Sequence, residues 1–132
     1  MHSTIWGYAE TFAILHRKRN GGLLNQVTFA KVVTKLQGEI IGSGQIGLLT
    51  SENEQILAGL SFVVRHNLNS NDAAILVTYS RYQNSLPPGS PPCLLVTADL
   101  RLVRASEAEG LATLNPERFS STDVAALVRG NV

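Results

Sequence analysis

The hydrophobic and polar positions of this sequence follow a helical period along most of the stretch from Thr4 to Tyr82. Apolar residues recur three and four positions apart, which is typical of amphipathic helices with one face on a core. The pattern predicts helices in four places, at about residues 4–19, 25–41, 51–66 and 70–82. Polar residues that can cap the starts of three of them are Ser3 or Thr4, Ser51 and Ser70.

The stretch from Pro91 to Pro116 has a different pattern. An uncharged apolar run, residues 93–96, is followed by a short amphipathic helix ending at Glu109 and by a second apolar run, residues 111–114. A strand without polar alternation belongs in a sheet that is covered on both faces, and such sheets are usually parallel. With a further short strand expected at residues 45–49, the pattern predicts an α/β domain. A last helix, capped by Ser121 or Thr122, is expected to run to Arg129.

Composition narrows the class of protein. A chain of 132 residues with 44% hydrophobic and 16% charged residues fits one compact globular domain. The net charge of +1 argues against sequence-independent coating of nucleic acid, although a local basic rim stays open. Cys93 is the single cysteine and lies in the apolar run, which excludes an intrachain disulfide and indicates a buried thiol. Without a signal peptide or an apolar stretch long enough to span a bilayer, the chain is predicted to be soluble and cytoplasmic.

Three carboxylates are the candidates for chemistry: Glu10, Asp72 and Asp99. Glu10 and Asp72 have apolar neighbours one helical turn away, and Asp99 follows the end of the apolar strand, where ligands gather in parallel sheets. If the three converge, their mutual repulsion calls for a divalent cation, and hard oxygen ligands suit Mg²⁺ or Mn²⁺. Such a site hydrolyses phosphodiesters. Structural roles stay open, with Asp99 as a helix N-cap and Asp72 as a favourable first-turn charge.

Four blocks of the chain resemble the PIN-domain family, which includes VapC-type toxin ribonucleases. The resemblance covers about residues 3–117 and lies in Tyr8-Ala9-Glu10, in residues 68–73, in Val96-Thr97-Ala98-Asp99, and in residues 108–111 leading to Asn115-Pro116. It implies a PIN-like three-layer α/β/α fold with a central parallel sheet. The whole chain would be a single domain, residues 1–132, in which residues 118–132 form a helical tail.

The resemblance also implies a function for the acidic residues. Glu10, Asp72 and Asp99 match the second, third and fourth acidic positions of a Mg²⁺ or Mn²⁺ site that cleaves RNA, and Thr97 matches a polar position that supports the last of them. The first aspartate and its strand are missing, because residues 1–4 already stand at the entrance to the helix of Glu10. The missing strand has three explanations: the start codon was placed too late, the gene is degraded, or a partner chain fills the gap.

Three hypotheses follow. In the leading one, the chain is a metal-dependent ribonuclease that is weakened or inactivated by the missing first strand. Arg17, Lys18 and Arg101 would neutralise substrate phosphates, with Arg104 as an alternative to Arg101. Its partners would be RNA, an antitoxin protein and a second copy of the chain. In the second, the chain is a non-catalytic oligomerising or binding module that retains the PIN fold. In the third, it is an unrelated α/β domain whose acids are helix caps and surface charges.

Overall fold

The structure is a computed structural model that describes residues 1–128. These residues form six α-helices and four short strands. In chain order they are β1 (His2–Thr4), α1 (Ile5–Asn20), α2 (Gln26–Gln37), β2 (Gly47–Leu49), α3 (Asn53–His66), α4 (Ser70–Ser85), β3 (Leu95–Val96), α5 (Leu100–Ala108), β4 (Thr113–Leu114) and α6 (Ser121–Val128). A π-helical turn, Gly38–Gly42, follows α2, and a 3₁₀ turn, Pro116–Arg118, follows β4.

The chain divides into two compact units, of which the first is Met1–Glu52. In this unit β1 pairs in parallel with β2, with Ser3 opposite Leu48, and α1 packs on α2. Phe29 is the one buried apolar side chain of the unit, every residue of which is described. The rings of Phe12 and Phe29 meet edge to face at 6.2 Å, and the Arg19 guanidinium lies 4.6 Å from the centre of the Phe29 ring. The first unit therefore has a small core.

The second unit begins at Asn53, and its core is built around α4. Most residues in the first half of α4 are buried, so this helix lies inside the unit rather than on its surface. The core cluster joins α4 to the segment before it and to α5, and its buried members are Leu68, Ala73, Leu76, Tyr79, Leu102 and Ala105. Helix α3 packs closely along α4, because Gly59 has no side chain to hold the two backbones apart.

The stretch from Pro91 to Pro116 forms the predicted strand, helix and strand. Strand β3 pairs in parallel with β4, with Leu95 opposite Thr113, and α5 connects them. The hydroxyl of Tyr79 in α4 lies 2.7 Å from the Cys93 carbonyl oxygen and 3.0 Å from that of Ala112. One side chain of the core helix thus reaches the backbone leading into both strands.

The predicted three-layer α/β/α fold with a central parallel sheet is wrong. The described residues contain two separate two-stranded sheets, each strand two or three residues long, and most of the chain is helical. The apolar run that predicted a strand covered on both faces is partly open to solvent, with Leu94 41% and Val96 56% exposed. An apolar run indicates that its side chains avoid water. It does not show that neighbouring strands are present to complete a sheet.

Most of the helix predictions are confirmed. Helices α1, α3, α4 and α5 lie within a few residues of the expected ranges, and Thr4 caps α1 by accepting a hydrogen bond from the Gly7 N–H. The second helix ends as an α-helix at Gln37 and continues as the π turn. Asn69, not Ser70, caps α4. Strand β1 was not predicted, and Arg129, the expected end of the last helix, lies outside the described residues.

No helix among residues 1–128 combines the length and the hydrophobicity that crossing a bilayer requires.

Candidate anion-binding site

The three predicted metal-ligating carboxylates are distributed over both units. Glu10 lies on α1 in the first unit, where it is exposed. Asp72 and Asp99 lie in the second unit, at the starts of α4 and α5. Because Glu10 is exposed, water can solvate its carboxylate, and the apolar neighbours one helical turn away do not bury it.

Asp99 is the N-cap of α5. Its Oδ1 accepts hydrogen bonds from the Arg101 N–H at 2.8 Å and the Leu102 N–H at 3.1 Å, and the residue is exposed. The Thr97 hydroxyl oxygen in turn accepts from the Asp99 N–H at 3.2 Å. Thr97 thus contacts the backbone of Asp99 rather than its carboxylate, and the geometry is that of a helix start, the structural role left open by the sequence.

Asp72 is buried, with 8% of its surface exposed, in the first turn of α4. Its N–H donates to the Oδ1 of the N-cap Asn69 at 2.8 Å. A carboxylate in the first turn of a helix is favoured by the positive end of the helix dipole. Like Leu76 one helical turn further along, Asp72 therefore lies on a buried part of α4.

Among residues 1–128, no group of three or more His, Cys, Asp or Glu side chains is placed to hold a metal ion. Mg²⁺ and Mn²⁺ are normally held by several oxygen ligands with water completing the shell. The Mg²⁺ or Mn²⁺ site therefore stays a prediction.

The basic residues of α1 fall into two pairs. His16 and Arg19 lie against Phe29, with the His16 ring centre 6.3 Å from that of Phe29. Arg17 and Lys18 are exposed in the last turn of α1, where positive charge is favoured by the helix dipole. Both side chains of this pair are solvated and can meet an anion from solvent.

A basic cleft lies in the second unit, where α3 ends and α5 passes. Its lining is His66, Asn67, Arg101, Arg104, Ala105 and Ala108, and its volume is about 440 Å³. Arg101 and Arg104 stand three positions apart on one face of α5, while Leu102 and Ala105 of the same helix are buried in the core. Burial of one face of α5 thus directs the two guanidinium groups to the other.

Local backbone geometry shapes the opposite wall. Helix α3 stops at His66, and Asn67 follows with φ of 53°, in the left-handed region that Asn tolerates better than most residues. This turn places Leu68, only 4% exposed, in the core. The cleft wall is therefore a helix end anchored by the core residue that follows the turn.

Electrostatics make this cleft favourable for anions. Within the described part of the chain, neither Arg101 nor Arg104 forms an ion pair with a carboxylate, and both are exposed. The nearby carboxylate of Glu109 is engaged elsewhere, since its Oε1 lies 2.6 Å from His66 Nε2 and 2.8 Å from Arg65 Nη1. The hydrogen bond from His66, reinforced by Arg65, lowers the pKa of Glu109 although its partial burial opposes this. The cleft therefore has a net positive charge.

Sequence reasoning found only part of this site. It named Arg101, with Arg104 as the alternative, as a phosphate contact, but it assigned His66 and Asn67 no place in the site. His66 contacts Glu109, 43 residues further along the chain. The usable signal was the spacing of Arg101 and Arg104 on an amphipathic helix, which predicts that both face away from the core.

Comparison of the chain with protein-family models, with curated proteins and with solved structures finds no match. The PIN-domain resemblance therefore stays a prediction.

Proposed function

We propose that this chain binds RNA by its phosphates, with the cleft of His66, Asn67, Arg101 and Arg104 as the contact surface. The observation that carries the proposal is the pair of guanidinium groups on one face of α5, which open onto the cleft without a carboxylate partner among the described residues. The proposal keeps the hypothesis of a non-catalytic binding module but not the PIN fold that went with it.

The chemistry of the lining favours a phosphate ligand. Arginine presents a planar fork of N–H donors that matches phosphate oxygens, and its charge persists at any physiological pH. The side-chain amide of Asn67 adds a neutral donor at the same cleft. Ala105 and Ala108, which also line the cleft, are small and leave room for a ligand beside the arginines.

A small number of contacts is expected, because the chain as a whole has a net charge of only +1. Binding should be local and should not involve a broad basic surface. Two neutralised phosphates predict that the logarithm of the affinity for single-stranded RNA falls with a slope of about −1.4 against the logarithm of salt concentration. A chain that coats RNA would show a much steeper slope.

The test is fluorescence anisotropy of a labelled single-stranded RNA of 12 nucleotides with the wild-type chain and with the variant Arg101→Gln/Arg104→Gln. We expect the double variant to weaken binding by about tenfold or more, since each guanidinium–phosphate contact is charge-assisted. Arg118→Gln is the matched control, because it removes the same kind of charge from an exposed position outside the cleft. Absence of RNA binding at low salt, or equal losses in the two variants, would refute the proposal.

Metal-dependent hydrolysis of the bound RNA is the second candidate. The observation that favours it is that Asp99 begins the same helix that carries Arg101 and Arg104, so a carboxylate and two cations lie within two turns. A calorimetric Mn²⁺ titration of the wild-type chain and of Asp99→Asn tests it, because Asn keeps the cap and removes the charge. Saturable binding that the substitution abolishes supports hydrolysis, whereas a folded chain that binds RNA but no Mn²⁺ supports binding alone.

A further inference from the structure

Helix α3 has an apolar strip on its exposed side. Leu57, Leu60 and Val64 are 67%, 50% and 86% exposed, respectively. Their spacing of three and then four positions aligns them along one side of the helix. Ala58 and Ser61, which are small and also exposed, lie next to them. The strip would therefore let a second helix approach closely.

The strip is separate from the face that α3 uses in its own unit. Gly59 is buried against the backbone of Ala73 and Ala74 in α4, and Phe62 and Val63 pack partly against the core. Since these residues already anchor α3, the core does not require the exposed strip. Aligned apolar side chains on a surface mark an interaction site more often than isolated ones do.

Charges flank the strip in a fixed order. Glu54 lies in the first turn of α3 and Arg65 in the last, and their side chains are 79% and 59% exposed. Positions 54 and 65 are separated by about three helical turns, so the two charges stand on the same flank. Each has a partner in its own chain, Arg81 and Glu109 respectively, but most of each side chain still faces solvent.

We propose that two copies of this chain associate through α3 in an antiparallel arrangement. In this arrangement Leu57 of each copy packs on Val64 of the other, Leu60 lies at the twofold axis, and Glu54 approaches Arg65 of the second copy. A parallel arrangement would place Glu54 next to Glu54 and Arg65 next to Arg65, which is unfavourable. Antiparallel helix dipoles add to the preference.

The expected dimer is weak. Helix α3 has 14 residues and is therefore about 21 Å long, and a contact confined to one such helix pair is at the small end of specific interfaces. Association should depend on protein concentration in the micromolar to millimolar range. The antiparallel twofold symmetry predicts which residues of α3 meet their own copies in the dimer.

Sedimentation velocity over a concentration series tests the surface. We expect Val64→Glu to raise the dissociation constant of the dimer by about tenfold or more, because it places a charge in the apolar contact. Val27→Glu is the control, since Val27 is 64% exposed on another helix and should change the constant less than twofold. A chain that stays monomeric at all concentrations, or equal effects of the two substitutions, overturns the proposal.

Disulfide trapping tests the orientation. In a Cys93→Ser background, Ser61→Cys places a thiol near the proposed twofold axis, and Ser85→Cys places one at the exposed end of α4. Under mild oxidation we expect covalent dimer formation to be at least about tenfold faster for the first variant. Similar rates for the two variants would show that α3 does not meet its own copy in this way. Circular dichroism confirms that each variant is folded.

Discussion

The Nε2 of His66 lies 2.6 Å from the Oε1 of Glu109 and joins the end of α3 to the end of α5 across 43 residues. Arg65 Nη1 reaches the same oxygen at 2.8 Å. The contact holds the two helix ends between which the basic cleft opens, and it keeps the Glu109 carboxylate occupied. A single carboxylate thus stabilises the cleft and leaves Arg101 and Arg104 to an external anion.

Glu109→Gln should destabilise the second unit. The substitution keeps a hydrogen-bond acceptor and removes the charge that His66 and Arg65 share, and since Arg65 is largely exposed, solvent screens part of the interaction. We expect the free energy of unfolding to fall by about 0.5–1 kcal/mol. Urea unfolding of the wild type and the variant at pH 7 measures the difference. Glu107→Gln, an exposed change on the same helix, should have a smaller effect.

The effect of Glu109 should also depend on pH. Its folded-state pKa lies below the ordinary value of 4.5, chiefly because of the His66 hydrogen bond, so its ionised form is favoured by folding. The stabilisation is fully present above pH 4.5 and is lost as the pH falls through the lowered pKa. The gap in unfolding free energy between the wild type and Glu109→Gln should therefore close on acidification. A gap that widened toward low pH would contradict this assignment.

Tyr79→Phe should weaken the attachment of β3 and β4 to the core helix. The change removes the hydroxyl that contacts the Cys93 and Ala112 carbonyl oxygens and leaves the ring packing in place. We expect a loss of about 1–2 kcal/mol in unfolding free energy. Tyr8→Phe, on α1, serves as the control, and its expected effect is below about 0.5 kcal/mol. Burial raises the pKa of the Tyr79 phenol above its ordinary value of 10.0, which a spectrophotometric titration can detect independently.

Gly59→Ala should destabilise the packing of α3 on α4. A Cβ at this position would lie 3.1 Å from the Ala73 carbonyl carbon and 3.2 Å from the Ala74 nitrogen, and backbone atoms cannot move aside as a flexible side chain does. The strain, about 1–3 kcal/mol, exceeds the gain in helix propensity of about 1 kcal/mol.

The matched control for Gly59 is Gly38→Ala, where the backbone is helical and no atom lies within 4 Å of the added Cβ. We expect this variant to be more stable than the wild type by about 0.5–1 kcal/mol. Thermal unfolding of both variants measures the contrast. Equal melting temperatures would show that α3 and α4 can separate without cost.

Asp99→Ala should shorten or loosen the start of α5. The N–H groups of Arg101 and Leu102 lose their acceptor, at an expected cost of about 1 kcal/mol, whereas Asp99→Asn retains the cap and should cost only a few tenths. Unfolding free energies of the two variants give the comparison. If Asn proved as damaging as Ala, the charge of Asp99 would matter beyond capping.

Local patterns predicted much of the secondary structure. Helical periodicity placed α1, α3, α4 and α5 within a few residues, because the contacts that define a helix lie within four positions of one another. The same holds for Thr4 and Asp99, whose side chains cap the backbone two or three positions ahead. The parallel strand pair β3 and β4, connected by α5, was also visible as two apolar runs that flank an amphipathic helix.

The sequence by itself determined where most of the helices lie, to within a few residues, because the contacts that define a helix join neighbouring residues. Only the tertiary structure decided that the strands form two small sheets and that the buried α4 is the centre of the second unit. It alone placed Glu109 on His66 and opened a cleft between the helix end and Arg101. Pairings between distant parts of the chain are not encoded in any local pattern, because packing of the whole unit selects among many partners of similar chemistry.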